Sequence, residues 1–293
     1  MKIKDMYNKK IPLISFEIFP PKKETNIESI YNTIDVLSSL EPDFISVTYG
    51  AGGSNDNKTM DIASIIKNKY NIEALAHLTC INSTKDDIEN TLNNLNENNI
   101  NNILALRGDF PSDSHKSDKL EYKYASDLIK HIKSKQSFSI GAACYPEGHI
   151  ECKNLREDLL HLKQKVSTGA EFLITQLFFD NEYFYSFNEK IKELNINVPI
   201  SIGIMPVTNK NQLLKMISLC GADLPNRFIR ILTKYEYNPE ALKEAGIAYA
   251  TEQIVDLLSY GADGIHIYTM NNPEIAKKIL SNISYIRKEN KIS

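Results

Sequence analysis

Short apolar runs alternate with helical patterns along the chain. Eight runs predict β-strands, at positions 11–18, 43–49, 72–78, 100–106, 138–144, 171–177, 198–204 and 263–268. Between them, apolar residues recur at spacings of three and four, as in Leu155, Leu159 and Leu162, which places them on one helical face. Eight strand–helix units of roughly thirty residues predict an α/β fold, a parallel sheet closed into a (β/α)8 TIM barrel. An open doubly wound sheet is the alternative, but it rarely uses so many repeats.

Two stretches interrupt this rhythm. Residues 110–121 form a polar loop after the fourth strand, long enough to act as a lid or a mobile loop over a site. Residues 224–239 lie between the seventh and eighth strands and predict an extra short helix before the last strand. No linker, low-complexity tract or block of charge marks a boundary, so we expect residues 1–293 to form a single catalytic domain.

Composition narrows the class of protein. Of the 293 residues, 42% are hydrophobic and 24% charged, which suits a soluble barrel with an ample core. The net charge of −3 gives no basic surface and argues against nucleic acid as a partner. The sequence offers neither a signal peptide nor an apolar run of membrane-spanning length. The four cysteines form no CxxC pair, so we expect a reduced, cytoplasmic protein without structural zinc or disulfides.

Polar or aromatic residues end nearly all the predicted strands. Barrel enzymes carry their chemistry at the carboxyl ends of the strands. These positions hold Glu17, Thr48, Tyr49, His77, Arg107, Asp109, Tyr145, Gln176, Pro206 and Tyr268. Seven of the eight ends therefore offer a hydrogen-bonding or ionisable group, which favours a functional site over an ordinary polar rim.

Glu17 is the most informative of these residues, because it ends an apolar run just before two prolines. Apolar surroundings disfavour a charged carboxylate and raise its pKa. We therefore expect Glu17 to stay protonated near neutral pH and to act as a proton donor.

The same positions exclude several chemistries. The sixth strand does not end in lysine and no HxH follows the first, which argues against a Schiff-base aldolase and a paired-metal hydrolase. The histidines lack the mutual spacing of metal ligands, and we expect no metal site. The glycine-rich loop 50–55 is not a GxGxxG motif. Asp158, His161 and Lys165 form a polar stripe beside a buried helix face, and an ordinary solvated flank is the simpler interpretation.

Eight motifs in register resemble those of the bacterial-type methylenetetrahydrofolate reductases. They are SFEIFPPK, FISVTYGAGGS, HLTC, NILALRGD, AACYPEGH, GAEFLITQLFFD, GIMPVTN and GIHIYTMN, which together run through residues 15–271. The resemblance implies an FAD-dependent flavoprotein that reduces 5,10-methylenetetrahydrofolate to 5-methyltetrahydrofolate with NADH or NADPH and so supplies methionine synthesis. NADH is the reductant that the family favours, and its bacterial members imply a homo-oligomer such as a tetramer.

The resemblance also implies roles for individual residues. Glu17 would be the general acid that protonates the folate nitrogen and opens the methylene bridge to an iminium. Asp109 would lie by the flavin and the pterin and stabilise that cation. Glu17, Asp109, Gln176 and Gln212 are the implied substrate-binding residues, and Gln176 would contact folate and nicotinamide in turn. The implied FAD-binding residues are Thr48, Tyr49, Ala51, His77, Arg107, Gly108, Asp109, Tyr124, Ala125, Tyr145, His149, Asp158, His161 and Lys165.

The sequence lacks a Rossmann nicotinamide-binding fold, which fits a ping-pong scheme in which NADH and folate use one site in turn. Four positions depart from the family pattern: His161 stands where asparagine is common, Gln164 replaces arginine, Met216 phenylalanine and Asn272 arginine. The loss of an arginine at position 164 removes a charge-assisted phosphate contact and predicts looser FAD binding.

Two other functions fit parts of the sequence. A barrel that binds flavin or folate without turnover is one, but it has no need for a general acid such as Glu17. A flavin barrel of the proline-dehydrogenase kind is the other, and it would be expected to show basic residues near the eighth strand, where IHIYTMNN has none.

Overall fold

The computed structural model describes residues 1–9, 11–21, 28–49, 56–109, 120–135 and 137–289. Eight strands lie in these ranges: β1 (Leu13–Ile18), β2 (Phe44–Val47), β3 (Glu73–Thr79), β4 (Asn102–Leu106), β5 (Ser139–Cys144), β6 (Phe172–Thr175), β7 (Ile200–Ile204) and β8 (Gly264–Tyr268). They pair in parallel in chain order, and β8 pairs with β1 to close the barrel. The predicted (β/α)8 barrel is confirmed.

Helices surround the barrel and join its strands. They are α1 (Ile3–Met6), α2 (Glu28–Ser38), α3 (Asp56–Asn68), α4 (Lys85–Glu97), α5 (Ala125–Ser134), α6 (Leu155–Thr168), α7 (Asn181–Glu193), α8 (Lys210–Cys220), α9 (Asn226–Tyr235), α10 (Pro239–Tyr260), α11 (Pro273–Asn282) and α12 (Ser284–Glu289), with a 3-10 turn at Tyr7–Lys9. The α9 helix confirms the extra segment predicted for residues 224–239. Within the described ranges, no helix combines the length and apolar character that a membrane span needs.

Side chains alternate between the two faces of each strand. On β1, Ile14 and Phe16 pack into the outer core between the strands and the helices. Leu13 instead packs with Phe44 and Phe172 from other strands, which places it inside the barrel. Since Ser15 and Glu17 follow Leu13 at spacings of two, they too face the interior, and Glu17 lies nearest the carboxyl end.

The amino end of the barrel is closed by the first helix. Ile3 and Met6 of α1 are buried against the interior cluster. The backbone N–H of Ile3 donates to Oδ1 of Asn102 at 2.7 Å, and the hydroxyls of Tyr7 and Ser201 lie 2.8 Å apart in a hydrogen bond. Because α1 fills this end, the opposite end is the one where strand-end side chains can meet a ligand.

An apolar cluster extends one side of the carboxyl end. It joins residues after β6 and β7 to α8 and α9, including Phe179, Val207, Leu213 and Phe228. The α10 helix approaches this region so closely that a Cβ at Gly246 would lie 1.7 Å from the carbonyl oxygen of Val207. The segment carrying Val207 is thus held by direct backbone contact.

Candidate active site

Glu17 lies between two histidines at the carboxyl end of the barrel. Its Oε2 is 3.5 Å from Nε2 of His77 on β3 and 3.5 Å from Nε2 of His266 on β8. The Glu17 side chain keeps 19% of its surface exposed, whereas His266 is fully buried. The carboxylate therefore faces the mouth of the barrel with imidazoles behind it.

The orientation of His266 follows from strand register. Ser15 pairs with His266 across β1 and β8, and Ser15 Oγ lies 2.8 Å from Nδ1 of the ring. Ser46 Oγ on β2 lies 3.4 Å from Nε2. Two buried hydroxyls thus fix the ring so that its Nε2 points toward Glu17. Sequence reasoning missed Ser15 and Ser46, although polar residues at alternate positions of an apolar strand are a usable signal.

The ionisation of Glu17 corrects the sequence-based expectation. Burial raises the pKa of this carboxyl, but a hydrogen bond from His266, the charges of His77 and His266, and a hydrogen bond from Ser46 together leave the pKa below its ordinary value. The prediction of a raised pKa, with a proton retained near neutral pH, is therefore wrong for this structure. The fold places two imidazoles beside the carboxyl in place of the apolar wall that the local sequence indicates.

His77 is neutral near pH 7. Burial, helped by the charge of His266 and opposed by that of Glu17, lowers its pKa to about 4. Its Nε2 is buried and forms no hydrogen bond within the described ranges, although it lies 3.5 Å from Glu17. A buried ring nitrogen in this state is suited to engaging a ligand at the mouth.

Arg107, just after β4, holds a carboxylate in two-point contact. Nη1 lies 2.6 Å from Oε2 of Glu151 and Nη2 lies 3.0 Å from Oε1. The next residue, Gly108, has a φ of +86°, and a Cβ there would lie 2.9 Å from Ile81 Cγ2, so a side chain would be both strained and crowded. Asp109 follows on the exposed surface. An arginine in this geometry holds phosphate as well as carboxylate.

A second polar group gathers after β5 and on α6. The rings of Tyr145 and His149 meet edge to face with centroids 4.7 Å apart, and Lys165 Nζ lies 5.5 Å from the Tyr145 ring. Lys165 also donates to the carbonyl of Ala143 at 3.0 Å. Burial lowers the pKa of Lys165 and raises that of Asp158, while each opposes the shift of the other through its charge. These residues make the predicted α6 stripe part of a packed cluster.

Tyr124 and His161 stand at the outer edge of this group. Their rings stack with centroids 6.2 Å apart and an angle of 28° between the planes. Tyr124 is 58% exposed, and Ala125 begins α5 beside it as a buried residue. An exposed aromatic pair of this kind offers a flat surface to a ring-bearing ligand.

The remaining predicted residues line the rim with different degrees of access. Gln176 is half-buried after β6, and its Oε1 accepts from the N–H of Leu177 at 3.0 Å. Gln212 is half-buried in the first turn of α8. Tyr268 donates from its hydroxyl to the carbonyl of Thr175 at 2.8 Å, bridging β8 to β6.

Thr48 and Tyr49 follow β2, and both are half-buried. The carbonyl of Thr48 accepts from the hydroxyl of Thr59 at 3.0 Å, which ties this segment to α3. Ala51 lies outside the described residues, as do the rest of the glycine-rich loop 50–55 and most of the predicted lid, residues 110–119.

The departures from the family pattern fall in three places. Gln164 is exposed on α6, Met216 packs against the apolar cluster from α8, and Asn272 stands at the start of α11. Their effects on ligand affinity stay predictions.

The predicted residues form two neighbouring groups at one end of the barrel. Glu17 and His77 form the first group, to which the fold adds His266. Arg107, Tyr145, His149, Asp158 and Lys165 form the second. The charge of Asp109 acts on Arg107 and Tyr145, which associates it with the second group. Glu151 is a further residue that sequence reasoning missed, because only the fold brings it to Arg107.

Comparison with known proteins identifies related sequences. The family model described as methylenetetrahydrofolate reductase matches residues 2–284. Methylenetetrahydrofolate reductase (NADH) 1 of Arabidopsis thaliana is 39% identical over 305 residues, covering all of this chain and 51% of the plant protein. The 5,10-methylenetetrahydrofolate reductase of Escherichia coli strain K12 is 38% identical over 266 residues, covering 91% of this chain and 88% of the bacterial protein. The chain thus spans about half the length of its plant relatives.

A solved structure with lower sequence similarity shares the fold. It is an uncharacterized protein from Clostridium thermocellum described as binding two copies of 5-methyl-5,6,7,8-tetrahydrofolic acid. The two chains superpose with a TM-score of 0.67 and 16% identity, covering 97% of this chain and 98% of the other.

Proposed function

The chain belongs to the methylenetetrahydrofolate reductase family, and from that premise we propose that it reduces 5,10-methylenetetrahydrofolate to 5-methyltetrahydrofolate with a reduced nicotinamide. The observation that carries the proposal is Glu17, a single carboxyl set between two histidines at the open end of the barrel. NADH is the proposed reductant, because the names of the plant relatives specify it.

The residues after β4, β5 and on α6 fit FAD as the cofactor. Arg107 already holds a planar anion in two-point contact, and Gly108 admits no side chain beside it. Lys165 supplies a second cation, and the exposed Tyr124–His161 pair supplies a surface for a ring. When bound, FAD would supply hydride transfer between nicotinamide and folate. The other FAD-binding residues that the resemblance implies, including Thr48, Tyr49 and Ala51, belong to the same proposal.

Glu17 is proposed to donate a proton to the folate nitrogen of the methylene bridge. A folate lying over the mouth would cover the exposed 19% of the Glu17 side chain and strengthen the burial that already raises its pKa. Substrate binding would therefore convert Glu17 into an acid poised for transfer.

Other roles complete the proposal. Asp109 would stabilise the positive charge that develops when the methylene bridge opens. Gln176 and Gln212 would bind folate, and Gln176 would contact the nicotinamide when that ligand occupies the same site. The shared site gives a ping-pong scheme. A homo-oligomeric, cytoplasmic flavoprotein that provides methyl groups for methionine synthesis is the corresponding cellular role.

The test separates the two half-reactions with the full chain. Purified protein should be yellow, its flavin absorbance bleached by NADH and restored by methylenetetrahydrofolate. Glu17→Gln should keep the NADH half-reaction and lose about 10²- to 10⁴-fold in the folate half-reaction, the usual contribution of a general acid. Both rates are measured by stopped-flow absorbance.

Glu171→Gln is the matched control. Glu171 is also a largely buried carboxylate, but it precedes β6 at the closed end of the barrel. The Glu171→Gln variant should leave the rates of both half-reactions unchanged. Equal losses in the two half-reactions of Glu17→Gln would contradict the acid role. A protein that binds FAD and folate but transfers no electrons would instead be the non-catalytic binding barrel.

A further inference from the structure

Three side chains on α6 and in the turn before it bring metal-ligating atoms together. Cys152 Sγ lies 3.7 Å from Asp158 Oδ1 and 3.7 Å from His161 Nδ1, and the three atoms all lie within 4.8 Å of one another. Cys152 is half-buried, Asp158 buried and His161 exposed, so the cluster opens to solvent on one side. No other group of three or more such ligands occurs in the part of the chain that the structure describes.

The spacing agrees with a tetrahedral zinc site. Zinc bonds of about 2.3 Å to sulfur and about 2.0–2.2 Å to nitrogen and oxygen put neighbouring ligands about 3.6 Å apart. Both distances from Cys152 are 3.7 Å, so its sulfur is placed to share a metal ion with each of the other two atoms. The exposed position of His161 leaves room for water as a fourth ligand.

The fold supplies a rigid base for two of the ligands. Asp158 and His161 are three residues apart on α6, which puts them on one face of the helix. Asn154 caps this helix by accepting from the N–H of Glu157 at 3.0 Å, and Cys152 lies in the turn just before it. Spacings between histidines alone do not reveal this mixed set of ligands.

The donor chemistry selects the metal. A thiolate and an imidazole favour zinc over magnesium or calcium, which prefer oxygen ligands. Two anionic ligands, the Cys152 thiolate and the Asp158 carboxylate, would offset the charge of a divalent cation. Lys165 is the nearby cation, and its amine is directed to the carbonyl of Ala143.

We propose that Cys152, Asp158 and His161 form a binding site for a zinc-class divalent cation in the flavin-free chain. On binding, Zn²⁺ replaces the thiol proton of Cys152, which passes to water, and a Zn–S bond forms with no change in oxidation state. The remaining position on the metal is held by water.

Metal binding should compete with the flavin. This consequence rests on the proposed function, which gives Asp158 and His161 to FAD. Zinc would then hold two side chains that the cofactor needs, and FAD would weaken metal uptake in proportion to its own occupancy. If metal binds but FAD leaves its affinity unchanged, the metal site stands and the assignment of Asp158 and His161 to FAD fails.

The experiment titrates the full chain, freed of flavin and metal, with CoCl2 and then with ZnCl2. A cobalt–thiolate site gives a charge-transfer absorption that reports the Cys152 bond directly, and Zn²⁺ should displace one Co²⁺ per chain. Cys152→Ser should abolish that absorption. His161→Gln should weaken binding by about tenfold or more, since even indirect partners of a metal cost about that much.

Cys220→Ser is the matched control, because Cys220 is also half-buried and unoxidised but belongs to no such cluster in the described ranges. It should leave the spectrum and the affinity unchanged. Cobalt absorption that survives Cys152→Ser, or that is lost in Cys220→Ser, would overturn the proposal. Unchanged metal affinity in His161→Gln would overturn it too. The metal would then be bound by the reactive thiol of Cys152 without a contribution from His161.

Discussion

The Arg107–Glu151 ion pair predicts how tightly the chain would hold the proposed FAD. In the proposed function Arg107 binds the anionic part of FAD, but in this structure its guanidinium is occupied by the Glu151 carboxylate at 2.6 and 3.0 Å. FAD bound in this way would have to displace the Glu151 carboxylate from Arg107. Glu151→Gln should remove this competition and tighten FAD binding.

The magnitude follows from exposure. The Arg107 side chain is 21% exposed and the Glu151 side chain 55% exposed, so solvent screens their attraction. Exposed pairs contribute about 0.2–1 kcal/mol, and the two-point geometry puts this pair near the upper end. About 1 kcal/mol corresponds to about a fivefold lower FAD dissociation constant. The gain should shrink at high salt, where the ion pair is already weakened.

The assay is a titration of flavin-free protein with FAD, followed by the change in flavin fluorescence at low and high salt. Glu252→Gln is the control, because Glu252 is as exposed as Glu151, carries the same charge and forms a two-point pair with the exposed Arg227. It should not change FAD affinity. Unchanged or weaker FAD binding in Glu151→Gln, or an equal gain in the control, would refute the competition.

Three further predictions concern the site and the framework. His266→Gln removes a hydrogen bond and a charge that both lower the pKa of Glu17. In the pH profile of the folate half-reaction, the limb that reports Glu17 should therefore move to higher pH. An unmoved limb would mean that His266 does not act on Glu17. Gly246→Ala forces a Cβ against the carbonyl of Val207 and should lower the free energy of unfolding by about 3 kcal/mol, as measured by urea denaturation. A loss below about 1 kcal/mol would contradict the close contact. Burial raises the pKa of Glu171, but its partners Lys133 and Lys4 lower it more, so the pKa lies below its ordinary value. The stabilisation that the ionised Glu171 gives the fold is therefore present above the unfolded pKa of about 4.3 and lost as pH falls through the folded pKa. Glu171→Gln should therefore cost about 1 kcal/mol at pH 7 and almost nothing near pH 2, and an equal cost at both would exclude an ionic origin.

The fold was predictable because its signal is local and repeated. Each strand lies in a largely apolar run, as expected for a parallel sheet buried on both faces, and eight such runs are what a closed barrel requires. The extra helix α9 showed as a break in that rhythm. The first helix, α1, which closes the amino end of the barrel, was not predicted. Its four residues include only two apolar side chains, which is too few to show a periodicity.

The sequence predicted several of the residues that gather at this end of the barrel, but not the partners that control their ionisation. Strand-end positions identified Glu17 and Arg107, since parallel strands bring their carboxyl ends to one rim. The partners of these two residues come from far along the chain: Glu151 is separated from Arg107 by 44 residues, and Glu17 on β1 meets His266 on β8. Sequence neighbours predicted an apolar surrounding for Glu17, whereas its spatial neighbours are imidazoles.

The lowered pKa of Glu17 and its proposed role as an acid are compatible, because they belong to different states of the site. When the mouth of the barrel is open, the Glu17 side chain keeps 19% of its surface exposed and its carboxylate is stabilised by a hydrogen bond and a charge from His266. The charged form is then favoured. Desolvation is nevertheless the largest single influence on its pKa, and it acts in the opposite direction. A ligand that covers the mouth of the barrel adds to this desolvation without adding positive charge. The balance then moves toward the protonated acid when the substrate that needs the proton is bound. A Glu17 held neutral at all times would lack this link between protonation and substrate binding.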